Sequence, residues 1–485
     1  NAGYTNYNTA EIKIISNTAI LTLGKEDVNV SISNPEIIGS RYGINNEGNG
    51  TFNFYDGIIK GKTAINGNLS AKEKGYEVIT TEENEIETAI LGNLPVAKIG
   101  EKEYYTFQEA FDACPSDGTE TTVEVLRNCT TDMANIIEEN KNIVLDIQSY
   151  KILSGIENLF TNNGKFKIVD SIGNGRIISA KGTILKNEET GNFAINNITM
   201  QMTGSSAIDE TIENKGMLEV TGGVIISDGL KNKCINNIEQ GTVKITGGTV
   251  SAYTYAIYNT SSNKVEIEGG TVQATYYYEG YSAIYNNTEN GVVEIKGGLV
   301  TNQGKAIENK KGTIKVTGGE IRTTQGDTRY SECGIYNNGK VIIEDGKVAA
   351  LYRGSGIQNE GGTIEITGGT VSAPEWYNSI INRGTLEISG VTIKSSEKGI
   401  YNNSTLKMTG GTVEVQEPNY AALECGGGTA TIEGGTIKYN NAGNTNYNTA
   451  AIKITTNTAT ITLGKEDGNV SITIPEIIGI RYGIN

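Results

Sequence analysis

The chain is predicted to be all-β and to fold as a parallel β-helix, or β-solenoid, with about 20–28 residues per coil. Three observations predict this. First, one phrase recurs from Thr211 onward, as "AIYNNTENGVVEIKGGLV", "AIENKKGTIKVTGGEI" and "GIQNEGGTIEITGGTV", with worn copies such as "GIYNNSTLKMTGGTV". Second, aliphatic and polar residues alternate within each copy: Val243 and Ile245 interleave with Thr242 and Lys244. That period of two belongs to strands, not helices. Third, 62 glycines and no histidine stand among 485 residues, with only 6 prolines. Short strands punctuated by glycine turns need this mix, and the regular recurrence of aliphatics argues against disorder.

Taken in chain order, "GYEVITTEENEIETAIL" (Gly75 to Leu91) reads as two strands around a polar turn. Next, Thr106 and Glu109 form a capping box, and Phe107, Ala110, Phe111 and Cys114 fall at i, i+3, i+4 and i+7. This predicts one short amphipathic helix that ends before Pro115. The helix is expected to cover the open end of a coil stack, whose unpaired strand edges would otherwise aggregate; an unrelated small domain is the alternative. The strand "TTVEVL" follows, and "IVLDIQSYKIL" opens the coils.

Within the coils, each "GG" pair ends a strand. Gly248, Gly270, Gly298, Gly319, Gly369, Gly411 and Gly435 are the second members, where a positive φ is expected. A single copy has too little surface to bury its aliphatics. Stacked copies pair in parallel about 4.8 Å apart and line up equivalent Ile and Val side chains. The strand-crossover rule gives a right-handed coil.

The "I-x-N" position predicts a ladder of stacked side-chain amides. Its members are Asn162, Asn187, Asn214, Asn237, Asn259, Asn286, Asn309, Asn337, Asn359, Asn382 and Asn402, with Cys425 in the same place one coil later. A row of ligand or glycosylation sites is the functional alternative. Outward strand positions read Glu219, Lys244, Glu266, Glu294 and Lys315, then Glu365, Glu387 and Lys407. They suggest a solvated face whose cross-strand charges help fix register. Cys234, Cys333 and Cys425 lie several coils apart and are expected to be unbridged. A bridge between Cys114 and Cys129 is left open.

The formal net charge of −16 disfavours nucleic acid and anionic membranes as partners. No apolar run reaches bilayer-spanning length, and no signal peptide is visible. The chain opens on "NAGYTNYN", inside a repeat, so it is expected to be a piece of a longer polypeptide.

The stretch "VAKIGEKEYYTFQEAFDAC…TTVEVLRN", followed by "IVLDIQSYKI" and "IVDSIGNGRI", resembles the opening of modules in very large bacterial cell-surface proteins of pectate-lyase-like β-helix fold. "PEIIGSRYGINNEGNGTFNFYDGIIKGKTAI" is similar to the close of such a module. The resemblance implies a secreted, surface-attached location and an adhesive role. It divides the chain into residues 1–60, the last coils of a preceding module; 61–95, a hairpin linker; 96–135, a cap with the helix; 136–440, coils; and 441–485, further coils. This last segment nearly repeats Asn1 to Asn45. The chain is then one repeat of a tandem array, and copies of itself are its expected partners, in tandem and laterally.

Three functions compete. A structural fibre fits the repeated ends. An adhesin would use the aromatic loops before "I-x-N", with Tyr253, Tyr255, Tyr276, Tyr277, Tyr278, Tyr281, Trp376, Tyr377 and Tyr420 as a stripe for glycan or protein. In the plainer alternative these rings shield strand edges and pack on one another. An enzyme acting on polysaccharide needs clustered acids, yet Asp209, Asp228, Asp327 and Asp345 do not recur in adjacent coils. No metal or cofactor motif is present, and neither catalysis nor a cofactor is expected.

Overall fold

A computed structural model describes residues 10–24, 35–48, 50–72, 76–92, 94–204, 210–230, 232–276, 280–324, 332–374, 377–395, 398–416, 420–439, 450–464, 476–478 and 482–484. It is a parallel β-solenoid of about 16 turns with about 23 residues per coil, as the repeat predicts. The chain divides into two compact units, Asn1–Asp112 and Ala113–Asn485.

In the first unit, strands β1 (Ala10–Lys13), β2 (Ile20–Leu23) and β3 (Glu36–Ile38) make one coil. Strands β4 (Tyr42–Asn45), β5 (Thr51–Phe54) and β6 (Ile58–Gly61) make the next, and β7 (Thr63–Asn66) and β8 (Ala71–Lys72) begin a third. Pairing is parallel, with Ile12 beside Ile44, Leu21 beside Phe52 and Ile37 beside Ile59. The alternation turns Ile14, Leu23, Ile44, Phe52, Phe54 and Ile59 into a common core.

The predicted hairpin is β9 (Glu77–Glu83) and β10 (Ile86–Gly92), with Asn84 and Glu85 both at positive φ in the two-residue turn. Its second strand joins the coil sheet antiparallel, placing Ala89 opposite Ile59. An antiparallel partner replaces evenly spaced, slanted bonds with alternating close and wide pairs. On this one sheet the parallel pairing ends at that strand, while the other two run on to β7 and β8.

A small hairpin, β11 (Ala97–Ile99) with β12 (Lys102–Tyr104), precedes the single helix, α1 (Phe107–Ala113). The capping box forms as expected. The Glu109 N–H donates to Thr106 Oγ1 at 3.1 Å, and Glu109 Oε2 accepts from the Thr106 and Tyr105 N–H groups. Phe107, Ala110 and Phe111 are buried. In the second unit, the buried Lys141 ammonium donates to the Cys114 carbonyl at 2.9 Å, holding the turn after the helix against the first coil.

Each coil of the second unit carries strands that pair with their counterparts one coil along. One buried column runs Ile143, Phe166, Phe193, Leu218, Val243, Val265, Val293, Ile314, Val341, Ile364, Leu386 and Leu406. Phenylalanine fills the early coils, where Phe160, Phe166 and Phe193 make ring contacts 5.4 and 5.7 Å between centroids. All seven second glycines of the "GG" pairs have positive φ, between 73° and 91°. At Gly270, an added Cβ would lie 2.6 Å from the Gly248 carbonyl oxygen. The turn therefore requires glycine both for φ and for coil-to-coil approach.

The asparagines form the ladder. From Asn162 to Asn402, each Nδ2 donates to Oδ1 of the next member at 2.7–3.0 Å. The same amides also reach turn carbonyls, as Asn187 does to Gly191 and Met217. All eleven are buried. Cys425 ends the row, and the Asn402 amide turns to the carbonyls of Ser404 and Thr429.

All five cysteines are buried thiols, so Cys114 and Cys129 are not bridged. Burial pushes the thiol of Cys234 up to about 12 and that of Cys425 up to about 11.

Asn286 accepts from Asn259 and donates to Asn309 and to the Lys311 carbonyl. Asn286→Ala leaves buried amide groups without partners. It should cost about 2–4 kcal/mol, read as a lower denaturation midpoint and faster hydrogen exchange in the neighbouring coils. Lys244→Ala, which breaks an exposed ion pair to Glu268, should cost under about 1 kcal/mol.

Candidate functional site

The outward face of the "I-x-N" strand carries the densest set of recognition-type side chains. Register fixes its central column as Asn236, Tyr258, Tyr285, Glu308, Tyr336 and Gln358 on successive coils. Coil spacing brings the Tyr258 and Tyr285 rings into a stack, 4.8 Å apart and 15° from parallel.

Tyr255 stands edge-on to this stack, 5.3 Å from Tyr258 and 5.6 Å from Tyr285, and also 5.3 Å from Tyr281. Its hydroxyl donates to the Gly280 carbonyl at 2.5 Å. Tyr281 touches Tyr276 at 5.5 Å, and Tyr276 touches Tyr253 at 4.7 Å. Six rings from two successive coils and the loop between them thus form one connected, half-buried surface.

Charged groups bracket it. On one side, Lys233 Nζ sits 4.6 Å over the Tyr258 ring and 3.1 Å from Glu210 Oε1. Asn236 Nδ2 donates to the same oxygen at 2.8 Å. Burial pushes the Glu210 carboxyl up, outweighing the pull of Lys233. On the other side, Lys305 Nζ lies 4.2 Å from the Tyr336 ring centroid and 3.1 Å from Glu308 Oε1, with Lys310 2.9 Å from that oxygen. Glu210 Oε2, Asn236 Oδ1 and Glu308 Oε2 are buried without a hydrogen-bond partner.

The structure unites four of the sequence-predicted residues, Tyr253, Tyr255, Tyr276 and Tyr281. It places Tyr377 and Tyr420 several coils farther along, where Lys398 lies 5.3 Å over the Tyr420 ring. Tyr277, Tyr278 and Trp376 lie outside the described residues. Loop-based reading missed Tyr258, Tyr285 and Tyr336. Their signal is the "IYN" form of the repeat, in which tyrosine takes the outward place beside the ladder asparagine.

The charged column differs from simple alternation. Glu266 pairs with Glu294, and Glu365 with Glu387, as like charges on adjacent coils. Lys264 and Lys296, flanking the column, neutralise the first pair. Lys264 reaches both Glu266 and Glu294, and Lys296 reaches Glu266 and Glu268. Hydrogen bonds from Lys296 and Lys264 hold the Glu266 carboxyl below its usual range. A hollow of about 350 Å³ lies beside Glu365, Glu387 and Lys407, lined also by Thr367, Ser389 and Thr409. Among the described residues no group of three or more His, Cys, Asp or Glu could hold a metal ion, and no helix is long and apolar enough to cross a membrane.

Comparison with protein-family models, curated proteins and solved structures finds no match for this chain.

Burial first, then the nearby Glu308 charge and the neighbouring phenols, pushes the Tyr255 phenol well above its usual range. The fold therefore favours the neutral phenol. That contribution is complete below the unfolded value near about 10 and is lost as pH rises through the folded value. Tyr255→Phe should flatten the alkaline loss of stability, read from denaturation midpoints measured at rising pH.

Proposed function

We propose that this chain is a structural repeat module of a long extracellular fibre or stalk on a bacterial surface, built from tandem β-helix modules. One observation carries the reading. The near-repeat of residues 1–45 by 441–485 extends to the strands. Ala450–Ile454, Thr460–Leu463, Glu476–Ile478 and Tyr482–Ile484 stand where β1, β2, β3 and β4 stand in the first copy. The same strand pattern recurring within one chain suits construction by repetition, because each coil contacts only its neighbours. The extracellular location rests on the resemblance to surface-protein modules. The acidic balance suits a soluble rod, and no catalytic step is assigned to it.

Electron microscopy of the native full-length polypeptide tests this. Rods with an axial repeat of roughly 80–100 Å are expected from the coil spacing. Globular particles, or a short stalk with one distinct head, would overturn the fibre reading.

The tyrosine face favours a second reading, an adhesin that holds a glycan or protein. Stacked phenol rings flanked by lysine and carboxylate match the faces and hydroxyls of sugar rings. On a glycan array the chain would then bind a defined set of sugars, and Tyr258→Ala with Tyr285→Ala would lower that binding at least tenfold. An array without signal would remove glycan as the ligand.

A further inference from the structure

Lys233, Asn236 and Glu210 meet at one carboxylate oxygen. Lys233 and Asn236 lie on one strand, Lys233–Asn237, and register sets Glu210 beside Lys233 on the preceding coil. Glu210 Oε1 stands 3.1 Å from Lys233 Nζ and accepts from Asn236 Nδ2 at 2.8 Å. Glu210 and Asn236 are 7% and 6% exposed, and the lysine Nζ sits over the Tyr258 ring. An amine, a primary amide and an acid held together away from water are the parts an amide exchange needs.

A later coil shows that side chains at these two places reach each other. Three coils farther along, Lys305 and Glu308 hold the positions of Lys233 and Asn236, and Lys305 Nζ lies 3.1 Å from Glu308 Oε1. There the second residue is a carboxylate, a poor acyl donor, and the pair stays ionic. At Asn236 the same place holds an amide that can release its nitrogen.

Two atoms of the cluster, Glu210 Oε2 and Asn236 Oδ1, are buried without a hydrogen-bond partner. A neutral acid suits both, because its O–H donates to an amide oxygen while its carbonyl accepts from the amide N–H. Burial favours that neutral form at Glu210, so the Lys233 proton has a place to go.

We propose that Lys233 and Asn236 become joined by a side-chain amide bond formed in the folded chain, with Glu210 as the catalytic acid and base. Glu210 takes a proton from the Lys233 ammonium. The freed Nζ lone pair attacks Asn236 Cγ, the Nζ–Cγ bond forms, and the carbonyl electrons move onto Oδ1. Glu210 relays protons from Nζ to Nδ2. The Cγ–Nδ2 bond then breaks, the carbonyl re-forms, and Nδ2 leaves as ammonium with the two protons that Nζ has lost. The exchange needs no oxidant or other reactant. Its product removes the charge of Lys233 and ties the two side chains at the border of the tyrosine face. It rests on neither reading of the whole chain's function.

Mass spectrometry of the intact chain, kept folded at neutral pH for days, tests this. The mass should fall one ammonia short of the sequence mass. After denaturation trypsin should fail to cut behind Lys233, and fragment spectra should link 233 to 236. Lys233→Arg, Asn236→Ala and Glu210→Gln should each show the full mass of their own sequences, with circular dichroism checking the fold. Should a variant fail to fold, the parent chain decides alone, since its mass and cleavage pattern need no comparison. The full mass in the folded parent chain overturns the proposal. So does loss of ammonia with Lys233 still open to trypsin, which marks a succinimide at an asparagine instead.

Discussion

Everything in this molecule depends on parallel pairing of each coil with the next in one register. Pairing satisfies the backbone N–H and C=O groups, which carry a free-energy penalty if buried alone. It also stacks like on like. The column from Ile143 to Leu406 is apolar at every step because a slip of one residue would turn each side chain to the opposite face. The asparagine ladder strengthens that constraint. Each buried amide makes its amide-to-amide bonds only when its counterparts sit directly above and below it, so a displaced coil would strand several polar groups at once. Apolar columns tolerate a mismatch in size more readily, as the change from Phe193 to Leu218 shows.

The tyrosine face follows from the same rule. Tyr258 and Tyr285 stack because they hold one place in the repeat on adjacent coils. Tyr281 then stands against Tyr255, and Tyr276 against Tyr281. Solenoid loops vary without disturbing the register, since only strands and turns take part in the ladder. That separation lets one coil group carry a distinctive surface while the strand register stays the same. Buried Glu210 and Glu308, each tied to a lysine that also lies over a tyrosine ring, hold the borders of the surface in place.

Coil stacking has no internal limit, so its ends need separate devices. On the β3–β6 sheet the antiparallel strand β10 is one, because it changes the hydrogen-bond pattern that a further parallel strand there would require. Among the described residues β1, β2 and β3 each have one strand partner, as do β7 and β8.

The fold, the strand faces, the glycine turns, the Thr106–Glu109 capping box and the asparagine ladder were legible in the sequence. Each depends on a local period or on one residue type recurring at one place, and translation along the stack converts both directly into structure. The hairpin was legible as two strands, but its antiparallel docking on β6 was not, because pairing direction depends on which edge is free. The same limit applies to the site. The loops advertised Tyr253, Tyr276 and Tyr281, whereas Tyr258, Tyr285 and Tyr336 were hidden inside the strand repeat as ordinary variation. Sequence alone determined that tyrosines recur. Only the tertiary structure decided which of them meet, because ring contacts at about 5 Å depend on loop paths and coil spacing together.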